Sequence, residues 1–194
     1  MSFNPFSEER GKLSENITWV VDALDGTSNY RVGIPLFVVQ LALVKEGEPV
    51  VSVIYAPALK LLFTAMKGHG AMLNGQSIHV SHVNVINKAM VSLNKGTQRK
   101  DLRWYASTVA KVMREVRTIR HFGSAGLMLS YVASGKLEGY LDSGSKLYDV
   151  ASGILLVREA GGMVKNFNSN EWTINDRTVI ASTPKLLDRL VKMV

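Results

Sequence analysis

The sequence contains no cysteine, which excludes a disulfide framework, a thiolate metal site and a cysteine nucleophile. Proline is scarce, at five residues in 194, and no low-complexity tract is present, so collagen-like and disordered classes are excluded. No apolar run approaches the roughly 18 residues a membrane-spanning helix needs. The first ten residues hold no basic stretch leading into an apolar core, so no secretory signal is visible and the expected location is the cytoplasm. No segment repeats. What is present is ample apolar content, 46%, with 20% charged residues. A chain of this length can bury roughly 70% of the surface its unfolded form exposes.

Lysine and arginine number 23 against 16 acidic residues, a net charge of +7. Such a balance favours anionic partners, phosphorylated metabolites and nucleic acids among them. The densest basic stretch runs through Arg99, Lys100, Arg103, Lys111, Arg114, Arg117 and Arg120 with apolar residues between. That spacing describes the solvated face of a helix better than a nucleic-acid footprint.

The β-branched and aromatic run Ile17 to Ala23 reads as a buried strand. Leu36 to Val44, Val50 to Tyr55, Leu61 to Met66, Gln76 to Val80 and Ala89 to Leu93 continue as strands, punctuated by Gly68, Gly70 and the Asn74-Gly75 hairpin signal. The first half is therefore expected to be one antiparallel sheet. Beyond Asn94-Lys95-Gly96 the pattern alternates. Helices are expected over 101–115, 123–133, 148–160 and 184–193, and short strands over 116–119, 137–141, 163–167 and 179–181. This is α/β organisation, with a unit boundary near 94–100 that divides the chain into residues 1–96 and 97–194.

Chemistry concentrates at Asp22-Ala-Leu-Asp-Gly-Thr27. Two carboxylates three residues apart, on a turn directly after a buried strand, can converge with the Leu24 carbonyl on one point. Hard divalent cations, Mg²⁺ above all, take oxygen ligands of this kind together with substrate phosphate. Gly26 permits close backbone approach, and the Gly26 and Thr27 amides can receive a phosphate. The same hexapeptide also suits an ordinary capped turn. Asp149, opening the apolar helix after Lys146-Leu-Tyr148, is a third carboxylate, although a helix dipole alone would favour an acid there. Glu8 and Glu9 precede Asp22 near the chain start. The four histidines are scattered, and His79 and His82, at strand spacing, should face opposite sides.

Trp19-Val-Val-Asp-Ala-Leu-Asp-Gly-Thr-Ser-Asn-Tyr30 with Gly33-Ile-Pro35 resembles the first signature of the inositol monophosphatase family. Tyr148-Asp-Val-Ala-Ser-Gly153, running into Val157-Arg-Glu-Ala-Gly-Gly162, resembles the second; Gly68 to Gly75 and Gly123 to Ala125 also fit the pattern. The resemblance extends from about Ser7 to the end. It implies a Li⁺-sensitive, Mg²⁺-dependent phosphomonoesterase with a layered αβαβα fold and two or three Mg²⁺ per site. By position, Asp22 would bridge two metals, the Leu24 carbonyl and Glu9 would serve the first, and Asp25 and Asp149 the second. Glu9 and Thr27 would handle the attacking water, with the Gly26 and Thr27 amides on the phosphate. Gly123, Ser124 and Ala125 would line the substrate pocket, and Asp142 would touch sugar or inositol hydroxyls.

The chain departs from the pattern at Ala23 (usually proline), Tyr148 (usually tryptophan) and Asp142 (commonly glutamate). Family members also carry about two helices and a strand before the Glu-Glu segment, at which this chain starts. The outer face of its first sheet is therefore expected to lack cover. The leading functional expectation is hydrolysis of inositol-1-phosphate. Alternatives are other sugar phosphates, fructose bisphosphate, histidinol phosphate or 3′-phosphoadenosine 5′-phosphate as substrate. From a different class comes a catalytically weakened regulatory protein that contacts RNA or the transcription machinery. A small phosphorylated substrate and a second copy of the chain are the expected partners, and no membrane.

Overall fold

The computed structural model describes residues 16–194 and the backbone of 10–14; the expected ligand Glu9 lies outside the described residues. Seven strands form an antiparallel meander in strict chain order: β1 (Arg10–Ser14), β2 (Ile17–Asp25), β3 (Val38–Lys45), β4 (Glu48–Ala56), β5 (Leu61–Met66), β6 (Ala71–Leu73) and β7 (Gln76–Ile78). Tight turns rich in Gly and Asn make this order possible, as at Asn74-Gly75, where both residues have positive φ. A second, mixed sheet has the order β11-β12-β10-β8-β9, from β8 (Met90–Asn94), β9 (Thr118–Arg120), β10 (Gly139–Asp142), β11 (Met163–Lys165) and β12 (Val179–Ser182). Met90–Asn94, expected as a further strand of the first half, thus belongs to the second sheet, parallel to both β9 and β10. Strands β1 and β6 were not expected.

Helices α3 (Ala125–Ala133) and α4 (Leu147–Glu159) lie between the two sheets, buried on nearly every face. Their approach is close: a Cβ at Gly153 would lie 2.5 Å from the Leu129 side chain. Ser52 of β4 donates to the Ser152 carbonyl at 2.8 Å and fixes α4 on the first sheet. On the far side of the second sheet, α2 (Arg99–Glu115) and α5 (Pro184–Val191) share a separate core with Val91, Leu93, Leu141 and Ile180. A short helix, α1 (Thr27–Arg31), follows β2. Among the described residues the order of layers is sheet, helices, sheet, helices, four of the five layers of the αβαβα sandwich that the family resemblance implied. No helix among the described residues is long and apolar enough to cross a membrane.

The inner face of β3 carries Val38, Gln40, Ala42 and Val44, all buried, while Val39 on the other face is 42% exposed. The continuous apolar runs of β3 and β4 suggested burial on both faces. Among the described residues only one face is covered.

Candidate functional site

The site forms where β2 ends. Asp22 pairs in register with Gln40, and the ladder then breaks between Asp22 and Asp25. The break lets the chain turn, and Gly26 completes the turn at φ 87°. A Cβ there would sit 2.8 Å from the Leu36 carbonyl oxygen, so glycine is required twice over, by conformation and by space. Thr27 opens α1, and its hydroxyl donates to the Leu24 carbonyl at 2.8 Å. Asp22 is 7% exposed, and its Oδ1 accepts the Leu24 amide at 3.0 Å.

Asp25 is turned inward. Its Oδ2 accepts from Ser124 Oγ and the Gly126 amide, each at 2.7 Å, and its Oδ1 accepts from the Ala125 amide at 3.3 Å. The carboxylate therefore sits at the N-terminus of α3, whose first amides lack helical partners. Asp149 lies in the first turn of α4, with Oδ2 on the Lys146 amide at 2.7 Å. Burial pushes Asp25 up from 3.8 to about 7 and Asp149 up to about 6; the charge of Asp22 raises both, and Asp149 also raises Asp25. The charge of Asp22 thus reaches both carboxylates, which places Asp22, Asp25 and Asp149 in one field. Among the described residues no three His, Asp or Glu side chains close tightly enough to hold a metal ion unaided. In kind and in charge, however, these buried, mutually repelling oxygen donors fit a hard divalent cation, whose charge would relieve the repulsion.

This electrostatic arrangement makes a prediction for the metal-free protein. Both carboxylates are raised above their unfolded values, so between about pH 4 and 7 the folded state binds more protons than the unfolded one. Stability should then fall as pH rises through that window. Melting in chelator is expected at a higher temperature at pH 5 than at pH 7.5, and Asp25→Asn should flatten the difference. Equal slopes for the two proteins would show that Asp25 carries no such penalty.

The remaining expected residues divide. Gly123 is exposed beside the site, whereas Ser124 and Ala125 are buried and serve Asp25 rather than an open pocket. Asp142, expected to touch substrate hydroxyls, is 1% exposed: Oδ2 accepts from the Tyr140 hydroxyl (2.6 Å) and Asn94 Nδ2 (3.0 Å), and Oδ1 from the Gly144 amide (2.9 Å). In this geometry it anchors the turn between β10 and α4. His79 and His82 lie beyond the end of β7, outside any strand, so the strand spacing on which their expected facing rested does not apply; both border a cavity of about 360 Å³. Two amides were missed. Asn29 Nδ2 donates to the carbonyls of Leu36 (2.7 Å) and Phe122 (2.6 Å), binding the turn after β2 to the strand that leads into Gly123. Gln40 reaches both Asp25 and Asp149. Its signal was legible: a lone amide within an apolar run must find buried partners.

The fold that brings these carboxylates together from two layers is shared with solved structures. The chain superposes with a TM-score of 0.88 on the extragenic suppressor protein suhB of Bartonella henselae, at 34% identity over 94% of this chain and 73% of that one. It does so equally, at 30% identity, on the inositol monophosphatase of Anabaena. In sequence it is 36% identical to an inositol-1-monophosphatase of Mesorhizobium japonicum, covering 96% of this chain and 72% of that protein. It is 46% identical to the Nus factor SuhB of Xylella fastidiosa over 82% of this chain and 59% of that protein, so it spans less than two thirds of that relative's length. The model of the inositol monophosphatase family matches residues 4–194, and this chain belongs to that family of phosphatases.

Proposed function

We propose that the chain hydrolyses a phosphate monoester in a Mg²⁺-dependent reaction, with inositol-1-phosphate as the leading substrate. The observation that carries the reading is the shared field of Asp22, Asp25 and Asp149, buried carboxylates whose charges are costly until a cation offsets them. Asp22, the Leu24 carbonyl, Asp25 and Asp149 would hold Mg²⁺, with Glu9 expected to complete the set. A bound divalent ion supplies charge for the phosphate, a more acidic water and stabilisation of the leaving alkoxide. The chain does the rest by positioning. The Gly26 and Thr27 amides, at the start of α1, would receive the phosphate, and Thr27 Oγ1, its proton committed to Leu24, would accept from the attacking water. Gly123, tied to this turn through Asn29, would border the substrate, with Ser124, Ala125 and Asp142 supporting from behind.

A second reading is favoured by the relatives named Nus factor SuhB. The exposed Arg99, Lys100, Arg103, Lys111, Arg114 and Arg117 of α2 and its flank would then contact RNA or the transcription machinery. Phosphate release from a panel of inositol, sugar and nucleotide phosphomonoesters separates the two. Release should vanish in excess chelator, return with Mg²⁺, and be inhibited by Ca²⁺, which is larger and less strictly octahedral. Undiminished release in chelator would overturn the metal reading, and no release from any ester with Mg²⁺ would leave the binding protein.

A further inference from the structure

We propose that Gln40 is a positioning residue that fixes Asp25 and Asp149 relative to one another for cation binding. The proposal rests on the Mg²⁺ reading above. Gln40 stands on the inner face of β3, in register with Asp22, and is 1% exposed. Its Nε2 spends its two protons on two different elements. One goes to Asp25 Oδ2 at 3.3 Å, at the end of β2; the other goes to the main-chain carbonyl of Asp149 at 3.0 Å, in the first turn of α4. Both partners are acceptors, so the nitrogen must face them and the orientation of the amide is settled. One side chain thereby ties the two expected ligands of one metal position across the boundary between the first sheet and the helical layer.

The pattern of bonds on Asp25 shows what is being positioned. Ser124 Oγ, the Gly126 amide and Gln40 Nε2 all converge on Oδ2. Oδ1 is left with the single 3.3 Å bond from the Ala125 amide. Three donors on one oxygen lock the rotation of the carboxylate and present the other oxygen. On Asp149 the division is similar, with Oδ2 held by the Lys146 amide. Removing a group that orients a ligand in this way typically weakens metal binding by about 10- to 100-fold.

Gln40 is an uneconomical choice for packing alone, because its Oε1 is buried with no hydrogen-bond partner. An apolar side chain of that size would avoid the orphaned carbonyl. Gly126 completes the device. A Cβ at that position would lie 2.8 Å from Gln40 Oε1 and 2.9 Å from Cδ and Nε2. The glycine keeps open the space into which the amide reaches. The three nearest atoms all belong to the end of the Gln40 side chain, so an alanine there would displace Gln40 first.

The test is calorimetric titration of Mg²⁺ and Mn²⁺ into the metal-free chain, beside melting in chelator, for wild type, Gln40→Met, Gly126→Ala and the double variant. Each single variant is expected to bind the cation 10- to 100-fold more weakly, with its metal-free melting temperature close to wild type. The Mg²⁺ concentration for half-maximal phosphate release should rise in parallel, while kcat at saturating Mg²⁺ changes much less. The double variant should bind no more weakly than Gln40→Met, because both substitutions remove the same contact. Wild-type affinity in Gln40→Met, or a double variant whose losses multiply, would overturn the role of Gln40. A lowered metal-free melting temperature with unchanged affinity would overturn it too, as the mark of a merely structural residue. A wild-type chain that takes up neither cation would instead refute the Mg²⁺ reading itself.

Discussion

Asp22→Asn is expected to reduce phosphate release by at least about 10²–10³-fold at saturating Mg²⁺, the scale of loss when one preorganised charge-stabilising group is removed. Asparagine keeps the shape of the side chain, and its Oδ1 can still accept the Leu24 amide that Asp22 Oδ1 accepts at 3.0 Å. That contact of the turn into Gly26 therefore survives, while the charge is lost. That charge is part of what raises Asp25 and Asp149. Without it the metal-free fold should melt at the same temperature or somewhat higher, since like-charge repulsion falls. Lost turnover with undiminished metal-free stability is the paired signature, read by phosphate release and by melts in chelator. Near wild-type turnover would remove Asp22 from the reaction. Asp149→Asn should chiefly raise the Mg²⁺ requirement.

The second large effect concerns the outer face of the first sheet. Three cross-strand rows meet there: Trp19, Leu43, Val51 and Met66; Val21, Leu41, Val53, Thr64 and Met72; and Val39, Tyr55 and Leu62. Val39, Tyr55, Leu62, Met66 and Met72 each remain 40–47% exposed, and a groove of about 320 Å³ crosses the face. A contiguous apolar surface of this kind exceeds what single exposed side chains impose on a monomer. Each Val, Leu or Met fully removed from water contributes about 1.5–3 kcal/mol. The 194-residue polypeptide, purified by itself, should therefore associate with a second copy through this face, and its melting temperature should rise with concentration. Val39→Lys with Tyr55→Lys should abolish the association while leaving the buried inner face intact. Light scattering that shows a monomer at every concentration would refute the expectation.

Most elements were legible because their signals are local. Leu61 to Met66 is an apolar run bounded by turn residues, and the observed strand has those limits. The helix around Asp149 was set by its apolar content and by Gly161-Gly162 at its end; it spans Leu147–Glu159. Ala71–Leu73 was missed because three residues between glycine turns carry no periodicity, and its strand character comes from pairing with β5 and β7. Met90–Asn94 was placed in the wrong sheet because pairing partners far along the chain leave no trace in a five-residue run. At the site, the spacing Asp22-x-x-Asp25 was readable, yet the inward turn of Asp25 was not. That orientation depends on Ser124 and Gly126, donors supplied by the N-terminus of a helix a hundred residues away. The same long-range dependence placed Asp142 among interior partners instead of at the surface.

The strict chain order of the first sheet bears on how the protein is made. Each strand of that meander pairs with its immediate neighbour, so the sheet can assemble progressively as it leaves the ribosome, with short loops to close. The second sheet has the opposite property: β10 must bind β8 on one side and wait for β12, two strands later, on the other. Asp22 and Asp25 are thus presented on a nearly finished sheet well before Asp149 and the α3 amides exist to meet them. During synthesis the half-built turn offers two carboxylates without their counterpart, too few to capture a divalent ion tightly. The site is complete only once α3 and α4 have docked on the inner face of the first sheet.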